Sequence, residues 1–332
     1  MRSRSPARDD GTRTVSFRPV ERRGYRPPVE VEPNTSQGSA LFSVGDDVYR
    51  WDDVVRLARV RGDWDAITRE VEQGLGALDE LGEPDPDEVQ ALAREFRYTR
   101  GLLAADELTQ WLERRRLTNA DWHGYLERSL AREAFPDATG RTAPDDAALW
   151  AEGICSGRLE ELARTLARLV AVSPHAPFEE LERALEAFSD EAAADEGALA
   201  REIELNRLEW LRVTFAELEL PNEDAAREAA MLVSTDHFAF EDVAVQAGVG
   251  LVEREEWLAD LDGEVGTRLL GARPGDLVGP TPRADAFVLM LVRAKIAPVI
   301  EEPAVREKAA ESVVRRAVAR RTDEQVRWLE HL

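Results

Sequence analysis

The residues able to do chemistry in this chain are few and far apart. Cys155 is the single cysteine, set in Gly153-Ile-Cys-Ser-Gly157, with no histidine at nearby helical spacing to activate its thiol as a nucleophile. One cysteine also excludes an intramolecular disulfide and a cysteine-rich zinc site. The four histidines, His123, His175, His237 and His331, are scattered without ligand spacing, so neither a metal nor any other cofactor is expected. Gly248-Val-Gly250 lacks the third glycine of a phosphate-cradling loop, which leaves nucleotide chemistry without support.

Charge narrows the partners further. Lys and Arg number 43 against 66 Asp and Glu, a formal charge of −23, and a body of that sign repels a phosphate backbone. Nucleic acid is not an expected partner. The only lysines are Lys295 and Lys308; the other basic residues are arginine, a bias of composition that says nothing of activity. Hydrophobic residues make up 43% and charged residues 33%, as in a soluble globular protein, and no apolar run reaches the roughly 20 residues of a membrane span. Met1-Arg-Ser-Arg-Ser-Pro lacks the apolar stretch of a secretory signal, which places the protein in the cytoplasm.

At 332 residues, two packed units plus tails are expected. Residues 1–40 carry eight Arg, five acids and five Pro with few large aliphatics, a composition that cannot offset ordering entropy and predicts a disordered basic tail. From residue 41 to 206 the pattern is helical. A hairpin-like turn around Gly45-Asp-Asp leads into a helix over 52–61, with further helices over 63–78, from Asp85 toward Leu103, over 104–115 and from the Thr118-Asn-Ala-Asp121 cap. Beyond a Pro/Gly/Thr linker at 136–144, more helices follow over 145–154, 159–172, 177–188 and from 196. Trp51, Trp64, Trp111, Trp122 and Trp150 in this block either line a groove for a partner's apolar side chains or pack as core; aromatic residues at helical spacing ordinarily form core.

The character changes near residue 207. Leu211 to Leu220 alternates apolar and polar residues as a half-exposed strand does. Pro221-Asn222 then caps a helix with Ala225, Ala229 and Leu232 on one face, a short helix spans 240–247, and residues 255–270 read as mostly helical. The turn Ala272-Arg-Pro-Gly-Asp-Leu-Val-Gly-Pro280 feeds a short strand, and Ala286-Phe-Val-Leu-Met-Leu-Val-Arg293 is a buried strand. Residues 207–300 thus form an α+β domain, and 301–332 a long helix from Pro303 to the C-terminus with Val305, Ala309, Val313 and Ala317 on one side. The fold class is mainly α with an α+β domain.

The segment 207–297 resembles the parvulin-type peptidyl-prolyl isomerases, on the strand Leu211–Leu220, the Asp224-Ala-Ala-Arg-Glu-Ala and Phe240-Glu-Asp-Val-Ala helices, and the Pro274-Gly275 turn. The helical block, opening with Val44-Gly-Asp-Asp-Val-Tyr-Arg-Trp-Asp-Asp53, and the closing helix after Pro303 are similar to the chaperone region of SurA-like foldases. Residues 102–132 and 207–280 look like parvulin-related proteins found beside ribosomal natural-product pathways, labelled peptide maturation proteins.

What the resemblance implies is a proline-ring pocket beside a polar cluster of histidines with a Cys or Asp. Phe215 and Val288, after Ala286-Phe287, stand where the family has its histidines, and Val249 to Trp257 replaces its Gly-rich segment. Leu261 and Val265 fall at the apolar ring positions. The expected peptide-binding residues are therefore Phe215, Trp257, Leu261, Val265, Phe287 and Val288, with no catalytic residue. The implied function is a catalytically weakened, parvulin-like and SurA-like chaperone holding an unfolded or precursor peptide, basic or proline-containing. Two alternatives stay open: an active isomerase using Thr214, Glu217, Arg283 and Asp285, and a scaffold for a peptide-modifying enzyme. His237, in the turn between the two short helices, reads as a surface residue because catalysis would require a specific partner.

Overall fold

A computed structural model describes residues 17–18, 40–138 and 142–329. Apart from Phe17–Arg18 and Ala40, which opens a strand, the tail expected over 1–40 lies outside the described residues, as do part of the 136–144 linker and His331. The chain divides into two compact units. One contains residues up to Leu185 together with those from Arg321 onward, and the other is Glu186–Arg320.

The first unit holds β1 (Phe17–Arg18), β2 (Ala40–Val44), β3 (Asp47–Arg50), α1 (Trp51–Arg61), α2 (Asp63–Leu81), β4 (Glu83–Pro84), α3 (Pro86–Thr99), α4 (Ala105–Arg114), α5 (Asn119–Ala134), α6 (Asp146–Cys155) and α7 (Arg158–Val172). Helices α3 and α5 begin at side-chain caps that the sequence displays. Asp85 accepts from the Asp87 N–H at 2.9 Å with Pro86 in the first turn, and Thr118 and Asp121 cap each other's backbone N–H at 2.8 and 3.2 Å. Helix α3 ends at Thr99, short of the expected Leu103, because Gly101 turns the chain at φ 67°. Gly74 lets α2 and α5 close on each other: a Cβ there would stand 2.8 Å from Arg128 Cβ.

The second unit begins within α8 (Leu181–Ala193) and continues through α9 (Glu196–Leu205), β5 (Arg212–Leu220), α10 (Glu223–Ser234), α11 (Phe240–Ala247), β6 (Leu251–Trp257), α12 (Gly263–Gly271), β7 (Leu277–Arg283) and β8 (Ala286–Ile296). Helix α13 (Pro303–Gln325) carries the chain back into the first unit, where β9 (Val326–Trp328) follows. Four strands pair antiparallel in the order β6-β5-β8-β7. Period-two alternation sorts their side chains to two faces. Ala216, Leu218, Leu220 and Leu289 pack with α10 and α11 through Ala226, Ala229, Phe240 and Val243. Val213, Phe215, Val288, Met290 and Val292 face Leu258, Leu261, Val265 and Leu269. The result is a mainly helical fold with an α+β portion.

Three expectations need correction or refinement. Residues 255–257, expected at the start of a mostly helical stretch, end the edge strand β6 instead, where charges of the strand meet partners within the sheet: Glu255 with Arg212 on β5 at 2.5 Å and Glu253 with Arg293 on β8 at 3.4 Å. The closing helix stops at Gln325, and β9 adds to the outer edge of β2 in the order β3-β2-β9, bringing Trp328 within 5.1 Å of the Phe42 ring. Helix α9 packs in the sheet-bearing unit, since Leu199 and Ile203 share a core with Trp210, Val305 and Ala309.

Candidate functional site

A cavity of about 570 Å³ opens on the α12 face of the sheet. Its floor is apolar, made by Phe215, Leu261, Val265, Val288 and Met290. Strand alternation decides which of the expected residues reach it. Phe287 precedes Val288 on β8, so its side chain packs on the opposite face with the α10–α11 core. Trp257 follows the cavity residue Glu256 and turns away too, toward Trp210 and Val305, with the Arg212 guanidinium 5.3 Å and Lys308 Nζ 5.0 Å from its ring centre. Four of the six expected residues, Phe215, Leu261, Val265 and Val288, therefore converge, and Trp257 and Phe287 do not.

One wall is ionic. Glu217, two residues beyond Phe215 on the same face of β5, is only 3% exposed in its side chain. Its carboxylate accepts from Arg283 Nη1 at 2.6 Å and Nη2 at 2.9 Å, and Arg254 Nε stands 3.4 Å away. Burial opposes the charge on Glu217, yet the two guanidiniums outweigh it and hold the carboxyl below the usual glutamate range. The same hydrogen bonds raise the pKa of Arg283. Both arginines keep 41–46% of their side-chain surface exposed, so each retains N–H donors for a ligand.

The lip is acidic. Glu256, Asp260, Asp262 and Glu264 border the cavity. Asp262 caps α12, accepting from the Glu264 N–H at 3.0 Å, and Glu264 pairs with Arg268 at 2.6 Å. Such a site can bury an apolar side chain, present fixed N–H donors to a peptide carbonyl and attract a neighbouring cation. Its described lining contains neither imidazole nor thiol.

Other sequence candidates fall elsewhere. Of the polar set, Glu217 and Arg283 meet, whereas Thr214 lies on the other side of the β5 alternation and Asp285 is exposed in the β7–β8 turn. His237 is exposed at φ 59° between α10 and α11. Cys155 is buried, and burial pushes its thiol up to about 12. Trp51, Trp111 and Trp122 are core residues; Trp150 stacks edge-on against Trp51 at 5.5 Å and donates to the Arg115 carbonyl at 2.8 Å, and Trp64 packs against the same core. Among the described residues no group of three or more His, Cys, Asp or Glu is placed to hold a metal, and no helix is long and apolar enough to cross a membrane. Sequence reasoning left out Met290, the acidic lip and Arg254, which the sheet register sets directly across β5–β6 from Phe215.

No family model and no curated protein matches the sequence. Solved structures do align with it. The foldase PrsA from Lactococcus lactis is similar at 10% identity and a TM-score of 0.27, over 88% of this chain and 96% of its own. A SurA-like chaperone of Campylobacter jejuni is similar at 8% identity and a TM-score of 0.20, over 89% of this chain and 100% of its own.

Proposed function

We propose that the chain is a peptide-binding chaperone whose sheet cavity holds an apolar or proline-containing segment of a basic client, an unfolded protein or the precursor of a ribosomal natural product in the cytoplasm. The observation that supports this most is the joining, in one cavity, of an apolar floor, a guanidinium wall and an acidic lip. Burying one aliphatic side chain or proline ring on that floor contributes about 1.5–3 kcal/mol. The lip favours Lys or Arg beside that residue and disfavours acids. With Phe215 and Val288 where the resembled family has histidines, the site is suited to holding its client rather than to turning over an X-Pro bond.

Fluorescence polarisation with labelled peptides that differ only in proline content and charge tests this reading. A basic peptide carrying an apolar residue or proline is expected to bind, its acidic counterpart about tenfold more weakly or worse, and Val265→Asp is expected to abolish the difference. Equal binding of all peptides by wild type and variant would remove the cavity from the account.

A second reading rests on the half-exposed guanidiniums of Arg254 and Arg283, which line the cavity together with its apolar floor. Donors held there can stabilise a twisting amide against the roughly 18–20 kcal/mol barrier of the peptide bond. A protease-coupled X-Pro assay separates the two: turnover lost in Arg283→Ala favours isomerisation, and no acceleration by wild type favours holding.

A further inference from the structure

A groove of opposite charge lies in the same unit, and the argument for it is independent of the sheet cavity. In α13 the run Val313-Val-Arg-Arg-Ala-Val-Ala-Arg-Arg321 carries four arginines and no acid, in a chain of net charge −23. Val313, Arg316, Ala317 and Arg320 recur at i, i+3, i+4 and i+7 and share one helix face. On α9, Ala198, Arg201, Glu202 and Leu205 repeat that spacing, and the two stripes border a cavity of about 400 Å³. The helices meet through Leu199, Ile203, Val305 and Ala309. Beside the groove, Leu205 is left 70% exposed.

The carboxylates at this groove already have partners. Asp195 caps α9, accepting from the Ala198 N–H at 3.0 Å. Glu202 is buried and accepts from Asn206 Nδ2 at 2.9 Å, Ser312 Oγ at 2.7 Å and Arg316 Nη2 at 3.1 Å. Arg201 and Arg320 are exposed on its two walls. The groove thus has an apolar centre between positive rails.

We propose that this groove docks an acidic amphipathic helix of a partner protein. Two helical stripes at three- and four-residue spacing offer the holes into which the apolar side chains of a third helix fit. The arginines meet Glu or Asp flanking those side chains on the incoming helix. A partner of this kind would be held at a surface that a basic client does not favour.

The test uses the full chain and two fluorescein-labelled peptides, one of three Leu-Glu-Glu-Leu-Leu-Glu-Glu repeats and one with Lys in place of Glu. Polarisation titration is expected to show saturable binding of the Glu peptide that weakens about tenfold between low and moderate salt. Arg201→Glu combined with Arg320→Glu should weaken it at least about tenfold, and Leu205→Asp should do the same without a charge reversal. All three positions are exposed, and circular dichroism of each variant checks that the fold persists. Any binding of the Lys peptide should be unaffected or strengthened by these substitutions. The proposal is overturned if the Glu peptide fails to saturate, if its binding is indifferent to both variants, or if sedimentation shows that the groove is instead occupied by a second copy of the chain.

Discussion

Each unit buries a glutamate between two arginines, and the two clusters differ in what surrounds the guanidiniums. In the helical unit Glu152 is 0% exposed, with Arg132 Nη1 at 2.9 Å and Arg128 Nε at 3.6 Å, and the arginine side chains are 23% and 7% exposed. In the sheet unit Glu217 is 3% exposed, but Arg254 and Arg283 keep 41% and 46% of their surface. Desolvating three charges is costly, and around Glu152 the cost is met by mutual attraction and by two backbone carbonyls, that of Glu70 accepting from Arg132 at 3.1 Å and that of Ala148 from Arg128 at 3.4 Å. Around Glu217 water or a ligand shares the solvation. The closed cluster is a staple between α5 and α6; the open one is a rigid donor array at the edge of a cavity.

The comparison predicts unequal effects of the same substitution. Glu152→Gln leaves two nearly dry guanidiniums without a counter-charge and should destabilise the helical unit by about 3–5 kcal/mol, read from denaturant unfolding followed by tryptophan fluorescence. A loss under about 1 kcal/mol would erase the distinction. Glu217→Gln should cost less, about 1–2 kcal/mol, because its arginines can turn to water.

Acid should act through Glu217 in a set direction. Its folded-state pKa lies below the ordinary glutamate value, near 4.3 in an unfolded chain. Its contribution is therefore fully present above that value and is lost as pH falls through the folded pKa. Wild-type stability of the sheet unit should decline below about pH 5, and the decline should be shallower in Glu217→Gln, as measured by unfolding at a series of pH values.

Arginine substitutions sharpen the contrast in function. Arg283→Gln should weaken the binding of a basic apolar peptide about threefold to tenfold by loosening the donor array. Arg132→Gln should leave affinity unchanged while lowering stability. Peptide titrations of the two variants, each with a thermal melt, make the comparison. The smallest effect is a reactivity: Cys155, buried with Glu152 raising its pKa further, should resist a thiol reagent at pH 8 in the native protein and react once unfolded. Rapid native labelling would show that the closed cluster opens.

Much of the helical unit was legible because its signals are local. Asp85-Pro86 and Thr118 with Asp121 are caps written within four residues of the N–H groups they bind. The end of strand β6 is not, because Glu255-Glu-Trp257 runs on into a helix-forming stretch and the partners of the strand's charges, Arg212 and Arg293, are more than 35 residues away in sequence. Strand β9 was hidden for the same reason: only β2, at the other end of the sequence, gives Val326–Trp328 an edge to join.

In the site, parity carried most of the information. Phe287 and Val288 are adjacent on one strand and cannot share a face, so only Val288 reaches the cavity, and Glu256 with Trp257 obeys the same rule. Glu217 stood in the polar set, but its bidentate partner across the sheet depended on a register that no short-range pattern encodes.

Strand β9 also sets an order for biosynthesis. Residues 186–320 are continuous and can close as soon as they leave the ribosome, whereas the unit that starts first needs residues 326–328 before β2 has both neighbours. During translation the earlier-made half therefore waits with an unpaired β2 edge, its Phe42 ring stacked on Tyr49 but not yet met by Trp328.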